Sequence, residues 1–399
     1  MIDNYQNVPE LRFNEFKNNW KNKKIKDISS LVTKGTTPKN FSNEGINFIK
    51  VENINNNNIS NINSWIDVET HENDLSRSIL EKDDLLFSIA GVYIGKTAKV
   101  TEDLLPANTN QALAIIRIMN FDYVNADFLH LRLNCEDIKK YIFQNLVVGA
   151  QPNLNLKQIE NIKISLPSYS EQLKISNFIK LIEKKIELME KRLLLYQKFK
   201  KQIIQDLTEY NNQNHWKKYK LNELLKECSE KSTINNQFPV LSSTKDGIKL
   251  QEDYFNKNIA STNNVGYKII HKNQLVLSPQ NLWLGNININ EAFEIGLVSP
   301  SYKIYDLTEK IDMYFLKHII KKPKMIYLYK TVSEQGASVV RRNLNKELFE
   351  NLEIFLPPKS EQEEIGLFLN TIDKKIKSIT FQRDETILFK KALLQKMFV

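Results

Sequence analysis

The sequence predicts an α+β protein: two mixed α/β globular parts, each followed by one long helix, with an internal repeat relating the two halves. Three observations carry this. Residues 166–207 recur without a gap at 356–397, with fifteen of 42 positions identical. Both copies place apolar residues at coiled-coil spacing. The segments between them read as short strands separated by Asn- and Asp-rich turns. A repeat of this size is an architectural unit, and it decides how the rest is read.

The identities include Ser170-Glu171-Gln172 against Ser360-Glu361-Gln362, Lys184-Lys185-Ile186 against Lys374-Lys375-Ile376, and Phe199-Lys200-Lys201 against Phe389-Lys390-Lys391. In each copy a proline, Pro167 or Pro357, breaks what precedes. Ser170 or Ser360 is the predicted N-cap, and Glu171 or Glu361 adds negative charge to the first turn. The first copy then carries Ile175, Ile182, Met189, Tyr196 and Ile203 at intervals of seven. A second row, Ile179, Ile186, Leu193 and Leu207, is interrupted by Lys200. The second copy keeps Ile365, Ile372, Ile379, Leu369 and Ile376, breaks at Arg383 and Thr386, and resumes near Leu393. Neither helix can leave such a stripe in water, so each is the natural partner of the other.

In chain order, residues 1–19 form a polar lead-in. Trp20 opens a predicted short helix running into the Gly35-Thr36-Thr37-Pro38 turn, and Trp216 opens the second half in the same style. Strands are predicted within 46–54, 83–100 and 111–119, followed by an amphipathic helix over 127–145. The second half repeats the plan: strands near 238–243, 267–270, 274–279 and 295–305, then a helix over 312–329. Gly149-Ala150 and Asn153-Leu154-Asn155 close the first part, and Gly336-Ala337 and Asn343-Leu344-Asn345 close the second. Elsewhere the two globular parts show little sequence likeness.

The balance of 56 Lys+Arg against 47 Asp+Glu leaves a charge of +9, which makes nucleic acid the first partner to consider. The two cysteines, Cys135 and Cys228, lie far apart, and the five histidines form no HExxH, so neither a disulfide framework nor a metal site is indicated. The longest uncharged apolar run, 85–95, is too short to span a bilayer, and the N-terminus lacks a secretory pattern, so a cytoplasmic protein is expected. Residues 90–97 match a loose P-loop pattern ending in Gly95-Lys96-Thr97. The loop is poor in glycine, however, and a strand rather than a helix follows it, so a tight hairpin is expected there. No Gly-rich dinucleotide fingerprint, methyltransferase motif or nuclease cluster is present, and no catalytic residue is assigned.

What remains suits DNA. Lys34, Thr36, Thr37 and Lys39 flank a turn fit for phosphate contact. Lys50, Tyr93, Lys96, Asn110, Gln111, Gln151 and Asn153 complete the first part's candidates. Those of the second are Ser243 and Lys245; Gln280, Asn281 and Trp283; Ser301 and Tyr302; and Arg341, Arg342 and Asn343. Arginine suits guanine, and asparagine and glutamine suit adenine, which is why these residue types in polar loops point to base reading.

The layout resembles the specificity (S) subunit of type I restriction–modification systems over essentially the whole chain. The resemblance rests on Leu11 to Trp20, the Gly-Thr-Thr-Pro turn, the run from Leu85 through Lys96 to Asn110-Gln111, Ser299-Pro300 with Tyr302, and above all the duplicated Leu-Pro…Ser-Glu-Gln segments. It implies two target-recognition domains, 1–155 and 211–345, each reading half of a bipartite site in double-stranded DNA. Two long helices, in the regions 156–210 and 346–399, would form an antiparallel coiled-coil spacer with pseudo-two-fold symmetry. Two modification (methyltransferase) subunits would dock on it, with restriction (translocase/endonuclease) subunits. The resemblance further implies no cofactor in this chain: S-adenosylmethionine, ATP and Mg2+ would serve the partner subunits. No membrane association is expected. The competing readings are a P-loop ATPase with a coiled-coil arm and an interaction scaffold that does not read DNA.

Overall fold

The structure is a computed structural model that describes residues 8–146, 153–209, 215–255, 263–335 and 342–399. It divides into two compact units, one made of residues 1–189 and 382–399, the other of 190–381.

The first unit begins with β1 (Lys21–Lys24), the single helical turn α1 (Ile25–Ile28) and β2 (Ser29–Lys34). Then follow β3 (Ile46–Ile49), the hairpin β4 (Ile54–Asn55) and β5 (Asn58–Ile59), β6 (Trp65–Ile66), β7 (Leu85–Ser88), β8 (Thr97–Lys99), β9 (Ala107–Thr109) and β10 (Leu113–Ile118). The main sheet has the order β2-β10-β7-β8, and a second sheet runs β6-β3-β9. After α2 (Ala126–Leu133), α3 (Glu136–Asn145) and α4 (Leu156–Glu160), β11 (Lys163–Leu166) returns to pair with β1, and the long helix α5 (Tyr169–Glu209) follows.

The second unit repeats the plan in β12 (Lys217–Lys220), α6 (Leu221–Leu224), β13 (Leu225–Cys228), β14 (Leu241–Thr244), β15 (Gly247–Leu250), α7 (Gln251–Phe255) and β16 (Lys268–His271). It continues through β17 (Leu275–Leu277), β18 (Ile287–Ile289), β19 (Ile295–Val298) and β20 (Lys303–Leu307) to α8 (Met313–Ile319) and α9 (Pro323–Thr331). It closes with β21 (Ser333–Gln335), β22 (Arg342–Leu344), α10 (Lys346–Glu350), β23 (Glu353–Leu356) and the long helix α11 (Lys359–Lys396). Its main sheet, β13-β20-β17-β18, has the connectivity of β2-β10-β7-β8, and β12 pairs with β23 as β1 does with β11. Two parts with little sequence likeness thus share one topology, because a buried apolar sheet accepts many side-chain combinations of similar volume.

Three sequence expectations are corrected. The Trp20 and Trp216 openings are a strand, one helical turn and a second strand, because pairing with β11 and β23, far away in sequence, overrides local helix signals. The helix expected over 127–145 is two helices. Asn134 ends the first by donating its amide to His130 O and Thr97 Oγ1, and Cys135 takes up extended backbone. The helix expected over 312–329 also breaks, at Pro323, whose missing N–H places it at the start of α9.

The long helices follow the heptad reading. Ile175, Ile179, Ile182 and Leu193 on α5 are buried, as are Leu369, Ile372, Ile379 and Leu393 on α11. The predicted N-caps fall two residues inside the helices: α5 starts at Tyr169, with the Ser168 hydroxyl accepting from Glu171 N, and α11 starts at Lys359. Lys200, the break in the first seam, meets Asp373 at 2.5 Å. Lys390 on α11 meets Glu183 at 2.6 Å. These pairs are the same pair under the repeat, since Lys200 matches Lys390 and Glu183 matches Asp373. The step from Glu183 to Lys200 equals the step back from Lys390 to Asp373, which is the register of antiparallel partners.

Candidate nucleic-acid interface

Each unit ties its long helix to its globular part through the repeated Ser-Glu-Gln. Gln172 is buried; its Oε1 accepts from Asn125 N at 2.9 Å, and its Nε2 donates to Tyr123 O and Pro167 O. Gln362 does the same in the other unit, accepting from Asp312 N at 2.9 Å and donating to Lys310 O and Pro357 O. Both glutamines therefore grip the backbone that enters α2 or α8. Gly366 allows close packing there: a Cβ on it would lie 2.6 Å from Phe315 N. The loops at the sheet edges are thus carried on a fixed base.

In the first unit the candidates gather into two neighbouring groups. The turn after β2 lies against the β9–β10 turn, with Thr36 N donating to Thr109 O and the Thr37 hydroxyl bonded to Gln111 Oε1. Gly35 is required for that approach, since a Cβ there would fall 2.1 Å from Thr109 O. Lys34, Thr36, Thr37, Lys39 and Gln111 are exposed, and Asn110 is half-buried, its Oδ1 accepting from Ala112 N. β3 runs parallel to β9, which places Lys50 beside Asn110 at adjacent strand ends. Lys50 also lies 4.6 Å from the Phe41 ring.

The second group is built on the loop between β7 and β8. This is the segment with P-loop spelling, and it is a hairpin: Gly95 N donates to Ser88 O, Gly91 and Gly95 have positive φ, and strand β8 follows. Strand β8 rather than a helix directly follows Lys96, so the strand–loop–helix order of a P-loop is not formed. Tyr93 is exposed, with Lys96 Nζ 4.1 Å from its ring centre. Lys96 also donates to Ile54 O at 3.1 Å, so it braces the β4–β5 hairpin as well as carrying charge. Asn153 is exposed and bridges Ala90. Gln151 lies outside the described residues.

The second unit repeats this joint. The loop between β17 and β18 carries Gln280, Asn281 and Trp283, and Arg342 N donates to Gln280 O just as Leu154 N donates to Ile89 O. The Arg342 guanidinium lies 5.5 Å from the Trp283 ring and donates to Ser333 O at 3.0 Å. Gln280 and Asn343 are exposed. Arg341 lies outside the described residues. Arg342 is therefore held beside an aromatic ring, with only part of its donor fork used on backbone.

A second joint lies at the β14–β15 hairpin, with Lys245 exposed at its tip. Ser243 is buried. Its hydroxyl donates to Asn286 Oδ1 at 2.7 Å and accepts from Asn288 Nδ2 at 2.8 Å, so it holds the hairpin and offers no free group to a base. Lys321 Nζ donates to Lys245 O at 2.9 Å, and Lys268 Nζ donates to Tyr302 O at 2.5 Å. Burial lowers both lysines from the usual value, in Lys268 with help from Lys303. They add positive potential beneath Lys245, Ser301 and Tyr302, of which Ser301 is exposed and Tyr302 half-buried.

The sequence reading passed over residues 55–58, four consecutive asparagines at the β4–β5 turn, all exposed. Their signal was the Asn pair between Ile-bearing strands, which marks a two-residue hairpin.

Known proteins share parts of this sequence and its fold. Residues 17–195 match the family of the type I restriction modification DNA specificity domain. The chain is 23% identical, over 98% of its length and 95% of the relative, to a Methanocaldococcus jannaschii protein described as the specificity subunit of the type I restriction enzyme MjaX. It is 33% identical over 138 residues, a third of this chain and 27% of the relative, to the specificity subunit of the type I enzyme EcoBI from Escherichia coli. In fold it resembles the S subunit of a type I restriction–modification system from M. genitalium, with a TM-score of 0.63, 14% identity, and coverage of 98% of this chain and 99% of the other. A chain from a type I assembly gives a TM-score of 0.55 at 14% identity, over 96% and 98% of the two chains. With two units of one topology, paired seams and polar loops at matching joints, the chain carries a match to the type I restriction modification DNA specificity domain over residues 17–195 and shares its overall fold with S subunits of type I restriction–modification systems.

Proposed function

We propose that this chain is the non-catalytic subunit that reads a bipartite site in double-stranded DNA and carries the methyltransferase and endonuclease subunits of its complex to it. The observation that carries the reading is the duplicated joint: in each unit a loop bearing an aromatic ring, Tyr93 or Trp283, with a basic side chain over it, Lys96 or Arg342, is fastened to the segment ahead of a long helix. In this reading residues 1–155 and 211–345 are the two target-recognition domains, and the helices in 156–210 and 346–399 hold them apart. Lys34, Lys39, Lys50 and Lys245 suit phosphate; Asn110, Gln111, Gln280, Asn281, Arg342 and Asn343 suit base edges.

Two modification subunits and the restriction subunits would supply the chemistry, with S-adenosylmethionine, ATP and Mg2+. A surface for them is at hand: Leu181, Leu188 and Leu195 repeat every seven residues along α5 and are between 54% and 70% exposed. Such a stripe on a helix already paired through its other face calls for further helices.

The test combines the chain with its modification subunits and maps the methylated bases. A bipartite motif is expected, and none without the chain; methyl transfer by the chain alone would sink the proposal. Helix α5, with 41 residues, is about 60 Å long at roughly 1.5 Å per residue. Inserting four residues at Glu187 and four at Thr386 keeps both Lys–carboxylate pairs in register and lengthens the rod by about 6 Å. The unread spacer should grow by about two base pairs at roughly 3.4 Å each, with both half-motifs unchanged. An unchanged spacer in an active variant would show that the helices do not set the distance.

A further inference from the structure

We propose that the tip of the β4–β5 hairpin, Asn56-Asn57, enters the DNA groove and reads an A·T base pair in one half-site. The inference rests on the DNA-reading function above and names a specificity element within it.

The hairpin is built to be presented. Asn56 and Asn57 have φ of 49° and 62°, the left-handed pair of a two-residue turn. Two strands about 4.8 Å apart make a tip slim enough for a major groove about 12 Å wide. Its base is fixed on both sides. Asn53 is buried, its Oδ1 accepting from Lys50 N at 2.8 Å and its Nδ2 donating to Asn61 O at 2.8 Å. Lys96 Nζ holds Ile54 O from the neighbouring loop.

The asparagines divide into those used and those left over. Asn53 works inside, Asn55 Nδ2 donates to Ser60 Oγ, and Asn58 Nδ2 donates to Asn56 O. Among the described residues, no hydrogen bond occupies the side-chain amides of Asn56 and Asn57. An asparagine amide offers one donor and one acceptor in the spacing of adenine N6 and N7. The surroundings suit a polyanion: Lys50, over Phe41, leads into the hairpin, and Lys96, over Tyr93, contacts its base at Ile54 O.

A turn of this kind favours asparagine for its backbone alone, and the test separates that role from base reading. Asn56→Gly with Asn57→Gly keeps a backbone that glycine adopts freely and removes both amides. The variant chain is assembled with its modification subunits, its preferred sites are selected, and the methylation rate on the wild-type site is measured. The expected result is degeneracy at one or two A·T positions of one half-motif, a fall of about 10- to 100-fold on the original site, and an intact second half-motif, which also reports that the assembly is folded. An unchanged motif at an unchanged rate would overturn the inference and leave the functional reading standing. A uniform loss on all sequences with a shallower salt dependence would overturn it in favour of phosphate contact. A wild-type assembly with no bipartite motif would overturn the functional reading and this inference with it.

Discussion

In the first unit the repeated glutamate, Glu171, is buried under Arg12, which meets its carboxylate through two hydrogen bonds of 2.7 and 2.8 Å, with Trp20 Nε1 at 3.3 Å. In the second unit Glu361 is half-exposed and meets His215 at 3.2 Å. The contrast continues around it. Phe398 packs its ring 5.3 Å from Phe128 and 6.3 Å from Trp20. Beside Trp216 and Phe315 there is instead a cavity of about 90 Å³, lined also by Leu207 and Lys322. Lys322 holds the helix N-cap place that Cys135 holds in the first unit, and burial pushes its ammonium down to about 8. The glutamine clamp next door is the same in both units. Duplication therefore preserved what positions the loops, and let the packing beneath the helix ends diverge.

The largest effect should come from the glutamates. Glu171→Ala strands Arg12, and loss of one partner of a buried pair costs about 3–5 kcal/mol. Glu361→Ala, with an exposed partner, should cost less than about 1 kcal/mol. Urea denaturation of the two variants measures this, and equal losses would erase the contrast between the units.

A smaller effect concerns pH. His318 in the second unit is pushed down to about 4 by burial, with Lys200, Lys317 and Lys322 acting in the same direction and Asp373 opposing them. The fold therefore holds it neutral. Its contribution is fully present above the unfolded value near 6.5 and is lost as pH falls toward 4. At pH 5 the loss should be about 2 kcal/mol, and His318→Leu should flatten the stability profile by that amount. His130 in the first unit is lowered by burial too, so some acid sensitivity should persist in the variant. A profile unaltered by the substitution would show that His318 carries no such penalty.

The smallest effect should come from the paired seam charges. Lys200→Met and Lys390→Met each remove one partly exposed ion pair, worth less than about 1 kcal/mol. Their effects should be similar and additive, as for distant sites. A strong penalty at one and none at the other would show that the two pairs are not equivalent.

The features legible in the sequence were those that repeat locally. Heptad spacing placed Ile175, Ile179 and Ile182 inside, and the lone Lys200 in that row proved to be a seam contact rather than a defect. The strands at Trp20 and Trp216 were missed because their partners lie more than a hundred residues away, where no local pattern reports them. Among the candidates, residue type and loop position singled out Tyr93, Lys96, Trp283 and Arg342 one by one; that the fold sets them in pairs was not legible. They could not tell that Ser243 is consumed by Asn286 and Asn288, since that depends on a strand forty residues on. The Asn56-Asn57 tip was passed over because asparagine runs read as turns before they read as ligands.

The first unit is discontinuous, and this has a consequence for its birth on the ribosome. Leu393, Met397 and Phe398 belong to the same core as Trp20, Ile25 and Phe128. The side of that core which they cover stays open to water while nearly four hundred residues are translated. The second unit, continuous in sequence, can close as soon as residue 381 emerges. Domains that emerge first ordinarily fold first. Here the order should be reversed, with the N-terminal half waiting, its apolar face exposed to chaperones, for the last helix to be made.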